Sequence, residues 1–148
     1  MDSPTARSTR LSMDRELSID TSGYFSCLVQ RDDRHREAAA ILRDARGHRH
    51  LVTTDYVLDE LFTLPRARCL GHLVDRVFEI TFSSRVCRVE WMYRARFEVV
   101  PDYLRQHADH ACSFTDCFSF CFMVQLGLGE ALTEDEHFRA AGFRPLLA

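Results

Sequence analysis

ELSIDTSGYFSCL, residues 16–28, predicts a short strand that leads directly into a helix. The strand covers Leu17 to Asp20 and ends in an acid, and Ser22 is placed to cap the helix that follows. That helix carries apolar side chains at helical spacing, namely Tyr24, Phe25, Leu28 and Val29. A strand joined to a helix in this way is typical of a parallel sheet, in which helices connect successive strands.

The same alternation of strands and helices continues along the chain. Further strands are predicted at Leu51 to Thr54, Val86 to Val89, Glu130 to Asp135 and Arg144 to Leu147. Helices are predicted at Ala38 to Ala45 with Gly47 behind it, Asp55 to about Arg68, Leu70 to Phe78, Trp91 to His107 and Asp116 to Leu126. Pro65 should kink or end its helix early, and Pro101 should interrupt another. The alternation favours an α/β fold with a parallel sheet covered on both faces.

Composition excludes several classes of enzyme. The chain has 148 residues, enough for one domain, and a net charge of −3 from 19 basic and 22 acidic side chains. All of the basic residues are arginines, because the sequence contains no lysine. A P-loop, a receiver domain and a Schiff-base site each need a lysine, so none of them can be built here.

The domain organisation follows from the same reading. Residues 1–15 are rich in Ser, Thr and Arg without periodicity, which predicts a flexible extension, and residues 16–148 form the domain. We find no secretory signal and no apolar run of about 18 to 20 residues, so a cytoplasmic protein without a membrane segment is expected. The six cysteines are then expected to be reduced thiols.

Three acids occupy positions where ligands bind in α/β folds. Asp20 and Asp135 follow the first and fourth predicted strands, and sites in parallel sheets lie beyond the carboxyl ends of strands. Asp116 begins an apolar helix, where the positive end of the helix dipole favours an ionised carboxylate. For any single acid, a solvated surface position is the more common outcome.

A fourth acid is selected by its helical phase. In the helix that begins at Asp55, Glu60 lies roughly 60° from apolar Val57, whereas Asp59 lies about 160° away. Glu60 therefore borders the buried stripe, and Asp59 points out. Burying a carboxylate requires a partner. Four such acids together call for Mg²⁺ or Mn²⁺, or for raised pKa values.

Four blocks of sequence that contain these acids resemble the signature blocks of PIN-domain proteins. They are Ile19-Asp20-Thr21-Ser22-Gly23, Leu51 to Glu60, Ser113-Phe114-Thr115-Asp116-Cys117, and Ala131 to Phe138 with Ala141-Gly142-Phe143. Within that family they are most similar to the VapC-type toxins of bacterial and archaeal toxin–antitoxin pairs. The resemblance runs from about residue 17 to residue 147, with the blocks in the right order.

The resemblance implies a three-layer α/β/α sandwich with a parallel sheet of four to five strands, and Mg²⁺- or Mn²⁺-dependent hydrolysis of RNA phosphodiester bonds. It implies that Asp20, Glu60, Asp116 and Asp135 are the catalytic, metal-holding acids. Asp20 and Asp116 are expected to bind metal directly, and the other two through water or as a second ligand set. It also implies a cognate antitoxin protein and a homodimer. Supporting hydrogen bonds are expected from Ser113 and from Thr21 or Ser22, with helix capping as an equal alternative.

Some features depart from the family pattern or leave alternatives open. Nineteen residues precede Asp20, more than such toxins usually have, and residues 1–12 are predicted to be a dispensable extension or a misassigned start. His137 could contact a phosphate, although packing or capping is favoured. Phe118, Phe120 and Phe122 could stack on bases, although a core role is favoured. The alternative to a ribonuclease toxin is a non-catalytic PIN-like module that binds RNA or protein.

Overall fold

The computed structural model describes residues 15–67, 71–83, 85–108 and 111–148, so most of the predicted extension lies outside the described residues. Within those ranges the strands are β1 (Glu16–Ile19), β2 (His50–Thr54), β3 (Cys87–Glu90), β4 (Glu130–Leu132) and β5 (Arg144–Pro145). The helices are α1 (Thr21–Leu28), α2 (His35–Ala45), α3 (Asp55–Ala67), α4 (His72–Phe78), α5 (Arg94–Gln106), α6 (Phe114–Leu126) and α7 (His137–Ala140). A π-helical turn, Glu79–Ser83, continues α4.

The strands form one parallel sheet in the order β3-β2-β1-β4-β5. β1 is central and pairs with β2 on one side and with β4 on the other, where Ile19 is opposite Leu132. The chain winds outward from β1 in both directions. The crevice beyond the carboxyl ends of β1 and β4 is therefore the topological switch point, where α/β folds bind ligands.

Alternate side chains of the strands enter two cores, one on each face of the sheet. Leu17 and Leu51 pack with helices α1 to α4, and Val52 and Ala131 pack with α5, α6 and α7. Because successive strand residues point to opposite faces, Leu51 and Val52 of β2 enter different cores, and so do Ala131 and Leu132 of β4. The predicted three-layer α/β/α sandwich with a parallel sheet is confirmed.

Helix α6 is apolar on almost all sides because it is central to the second core. Phe118, Phe120 and Phe122 are each at most 2% exposed, so the favoured core role is what the structure shows. Burying each ring contributes about 1.5–3 kcal/mol. The helix ends at Gly127, which adopts the left-handed conformation with φ 69°.

Several predicted boundaries differ in the structure. α3 continues through Pro65 to Ala67, and α5 contains Pro101 in its interior, so neither proline ends its helix. A proline removes one backbone donor, and packing of the rest of each helix outweighs that loss. Asp20, rather than Ser22, caps α1, because the Asp20 carboxylate accepts a hydrogen bond from the Gly23 amide.

The fourth strand is shorter than the sequence predicts. It ends at Leu132, not at Asp135, because its neighbour β1 ends at Ile19 and offers no further backbone to pair with. Asp135 therefore lies in the loop that follows the strand. Among the described helices, none is long and apolar enough to cross a membrane.

Candidate active site

Asp20 is the most buried acid of the site. It follows β1, is 8% exposed, and accepts hydrogen bonds at Oδ1 from the Gly23 amide and the Ser22 hydroxyl, each at 2.9 Å. Its Oδ2 accepts a hydrogen bond from the Thr133 hydroxyl at 2.8 Å. Burial raises the pKa of Asp20 to about 7 against these hydrogen bonds, and the nearby charge of Asp135 raises it further.

Asp116 is fixed in the first turn of α6 by a reciprocal cap. The Asp116 amide donates to Ser113 Oγ at 3.0 Å, and the Ser113 amide donates to Asp116 Oδ2 at 3.2 Å. Ser113 thus forms the supporting hydrogen bonds expected of it, and they are those of a capping box. Burial raises the pKa of Asp116, and the charge of Asp135 acts in the same direction.

Asp135 and His137 form a pair in the loop between β4 and α7. Asp135 Oδ1 accepts a hydrogen bond from the His137 amide at 2.8 Å and lies 2.9 Å from His137 Nδ1. Ligand atoms of Asp116, Asp135 and His137 all lie within 4.8 Å of one another. Among the described residues this is the group of acids, histidines and cysteines compact enough to share one metal ion.

Glu60 faces the site from α3 but remains exposed to solvent. Its Oε2 accepts a hydrogen bond from the Thr21 hydroxyl at 3.0 Å, so α1 holds the side chain in place. Asp59 is also exposed and does not line the cleft. The helical phase therefore distinguishes the two neighbours, although Glu60 is at the cleft surface rather than buried.

All four predicted acids line one cleft of about 460 Å³ beside the carboxyl ends of β1 and β4. Asp116 and Asp135 belong to the compact group, whereas Asp20 and Glu60 lie outside it. Two further acids, Asp32 and Glu134, line the same cleft. Among the described residues of its wall, His137 is the only side chain that can carry a positive charge.

The donor set fits a hard divalent cation. The carboxylate oxygens of Asp116 and Asp135 are ligands that Mg²⁺ and Mn²⁺ prefer, whereas an imidazole nitrogen such as that of His137 suits transition metals rather than Mg²⁺. Burial is the main cause of the raised pKa values of Asp20 and Asp116, and repulsion from the Asp135 carboxylate raises both further. A bound divalent ion would relieve this repulsion.

Four residues of the site were not predicted as site residues from the sequence. Asp32 and Glu134 line the cleft, but neither strand ends nor helical phase selected them as site residues. His137 was favoured as a packing or capping residue, although its position two residues after Asp135 was a usable signal. Thr133 carried no local signal for its contact with Asp20, because the two residues are 113 positions apart in the sequence.

The chain is similar in sequence and in structure to known proteins. No family model matches the sequence. The chain is 32% identical over 127 residues to the 23S rRNA-specific endonuclease VapC20 of Mycobacterium tuberculosis, in two strains, covering 86% of this chain and 95% of the relative.

A crystal structure of Mycobacterium tuberculosis VapC20, described as a sarcin–ricin loop cleaving toxin, superposes with a TM-score of 0.77. The match has 29% sequence identity and covers 86% of this chain and 95% of that one. The shared fold and the sequence identity over nearly the whole of both chains lead to one conclusion. The chain belongs to the VapC family of PIN-domain toxins and is an endoribonuclease.

Proposed function

We propose that this ribonuclease depends on Mg²⁺ or Mn²⁺ held by Asp20, Glu60, Asp116 and Asp135. The observation that carries the proposal is the group formed by Asp116, Asp135 and His137, whose ligand atoms lie within 4.8 Å in an acidic cleft. RNA is a polyanion, so a cleft with this charge needs a cation before a phosphate can enter it.

The position of each acid in the cleft suits it to a different kind of contact with the metal ion. Asp116 and Asp135 offer carboxylate oxygens from two different elements, and Asp20 offers a third carboxylate from the end of β1. Glu60, at the exposed side of the cleft, is suited to contact through water. When bound, the ion activates water and stabilises negative charge on the phosphate, so no side-chain nucleophile is required.

We extend the substrate class of the relatives to this chain and propose a structured loop of 23S ribosomal RNA. VapC20 is described as 23S rRNA-specific and as cleaving the sarcin–ricin loop. The segment between α1 and α2 brings Asp32 to the cleft and carries exposed Arg31 and Arg34 on either side of it. We propose that these guanidinium groups contact phosphates of an RNA that enters the cleft, with Arg34 also paired to Glu37 at 3.4 Å. Cleavage of such RNA places the activity in the cytoplasm.

The proposed protein partners are a cognate antitoxin and a second copy of the chain. The antitoxin would cover the grooves beside the first helices with an apolar segment. Support for protein partners comes from large apolar side chains that are about half exposed: Phe78, Phe82, Trp91, Tyr93 and Phe97. Light scattering of the purified chain, alone and with the antitoxin, would measure both assemblies.

The test of the proposed function is metal-dependent cleavage by matched variants. Purified protein is freed of metal with a chelator and incubated with a sarcin–ricin loop RNA or an unrelated stem–loop, with and without Mg²⁺ or Mn²⁺. Asp116→Asn and Asp135→Asn should each lower cleavage at least about 100-fold, since even indirect metal contacts are worth about 10–100-fold. The control is Glu136→Gln, an exposed acid paired with Arg139 outside the cleft wall.

Metal binding should also increase the stability of the folded chain against thermal unfolding. An ion at about 100 times its dissociation constant stabilises the folded state by about 2.7 kcal/mol, so the melting temperature of the parent should rise. Asp20→Asn combined with Asp116→Asn should abolish that rise. RNA binding without cleavage at any metal concentration would instead favour the non-catalytic binding module.

A further inference from the structure

Thr133 connects two acids that come from opposite ends of the chain. It is fully buried directly after β4, and its hydroxyl donates to Asp20 Oδ2 at 2.8 Å. The hydroxyl oxygen of Thr133 also accepts a hydrogen bond from the Asp135 amide at 3.0 Å. The backbone carbonyl of Thr133 accepts from the Leu147 amide at 3.0 Å, which anchors the residue to the chain beyond β5. Thr133 is therefore a fixed point between Asp20 and Asp135.

Ser22 makes a second bridge of the same kind. Its hydroxyl donates to Asp20 Oδ1 at 2.9 Å and accepts a hydrogen bond from the Glu134 amide at 3.1 Å. The hydroxyl oxygens of Ser22 and Thr133 are 3.0 Å apart. Each oxygen of the Asp20 carboxylate is thus joined by one hydroxyl to one of two consecutive amides, those of Glu134 and Asp135.

Counting donors and acceptors shows that the Ser22 and Thr133 hydroxyls are both needed to satisfy the Asp20 carboxylate and the two loop amides. Each hydroxyl has one hydrogen, and with Asp20 ionised both hydrogens point to that carboxylate. Their lone pairs then accept the two amides of the loop. Replacing the Thr133 hydroxyl by a methyl group would leave Asp20 Oδ2 without that donor and the Asp135 amide without its acceptor. Buried polar groups without partners are costly, so the loop would move to find others.

We propose that Thr133 is a positioning residue that sets the distance between Asp20 and the loop carrying Asp135 and His137, with Ser22 as its companion. The inference rests on the proposed metal site, because that spacing matters only if the acids share a cation. Metal ligands held by hydrogen-bonded neighbours bind with defined geometry, and loss of such a neighbour weakens metal binding or activity about 10–100-fold.

The experiment compares Thr133→Val, which is nearly isosteric, with Thr133→Ser, which restores the hydroxyl. Mn²⁺ affinity is measured by calorimetry on the full chain, and kcat and KM for RNA cleavage are measured separately. Thr133→Val should weaken Mn²⁺ binding about 10–100-fold and lower kcat by a similar factor. Thr133→Ser should recover most of both losses.

A matched control removes a buried hydroxyl elsewhere. Thr81 is 3% exposed and its hydroxyl lies 2.9 Å from the Tyr24 hydroxyl, outside the cleft wall. Thr81→Val should lower the melting temperature and leave Mn²⁺ affinity unchanged. An equal loss of Mn²⁺ affinity in Thr81→Val would mean that the effect of Thr133→Val is general destabilisation, and would overturn the proposal.

Two further results would overturn it: parental Mn²⁺ affinity in Thr133→Val, or no recovery in Thr133→Ser. If Thr133→Val does not fold, Ser22→Ala tests the second bridge and should weaken Mn²⁺ binding, and unchanged binding would count against both bridges. A parent chain that neither binds Mn²⁺ nor needs it for cleavage would refute the proposed metal site itself. If instead the parent chain needs Mn²⁺ and Thr133→Val binds Mn²⁺ as tightly as the parent, the metal site stands and only the role of Thr133 is refuted.

Discussion

Both the packing of α1 against β4 and the position of Asp20 require that residue 23 is a glycine, which has no Cβ atom. A Cβ atom at this position would lie 1.9 Å from the backbone oxygen of Leu132 and 3.1 Å from Cγ1 of Ile19. Ordinary contact begins at 3.4 Å, so α1 would have to move by about 1.5 Å away from β4. The obstacle is backbone of a paired strand and cannot rotate out of the way.

Gly23→Ala should therefore be strongly destabilising. Overpacking costs about 1–3 kcal/mol, and we expect the upper end here, which corresponds to a fall in melting temperature of roughly 6–12 °C. The Gly23 amide also donates to Asp20, so movement of α1 displaces that carboxylate. Misplacement by about 1 Å can cost about 100-fold in rate, and we expect a loss of cleavage of that order.

The measurements are thermal unfolding followed by circular dichroism, and RNA cleavage at a temperature where the variant is folded. Gly71→Ala is the matched control, because Gly71 has φ −54° and no atom within 4 Å of the added Cβ. It should be neutral or stabilising by about 0.4–1 kcal/mol. A Gly23→Ala chain that melts with the parent and cleaves RNA at the parental rate would refute the close approach of α1 to β4.

Two more predictions concern the acids. Glu60→Gln should lower metal-dependent RNA cleavage by at least about tenfold while Asp59→Asn stays near the parental rate, because only Glu60 lines the cleft; the reverse order of activities would refute the helical phase. Burial raises the pKa of Asp20 from 3.8 to about 7, so between these values the folded chain holds a proton that the unfolded chain has released. The metal-free chain should thus lose stability from about pH 4 to about pH 7. Urea unfolding across this range should show a clearly larger loss in the parent than in Asp20→Asn, in which Asp116 still has a raised pKa, and an equal slope in both would contradict it.

The sequence predicted those features that depend on short-range periodicity. Alternating strands and helices indicated the α/β class, and the core role favoured for Phe118, Phe120 and Phe122 agrees with their burial in α6. The phase of α3 separated Glu60 from Asp59 without any knowledge of neighbouring elements. These inferences succeeded because side-chain direction within one helix or strand follows from local geometry alone. The metal-holding role of the four acids stays a prediction.

Only the tertiary structure decided how the acids are held. Thr133 and Asp20 are 113 residues apart, and their hydrogen bond exists because β4 inserts beside β1 in the sheet. The same pairing ends β4 at Leu132 and leaves Asp135 in a loop, where it meets His137 and Asp116. Sequence periodicity fixes which way a side chain points within its own element. Which elements are neighbours depends on the burial of whole faces of the sheet, so contacts between distant residues appear only in the folded chain.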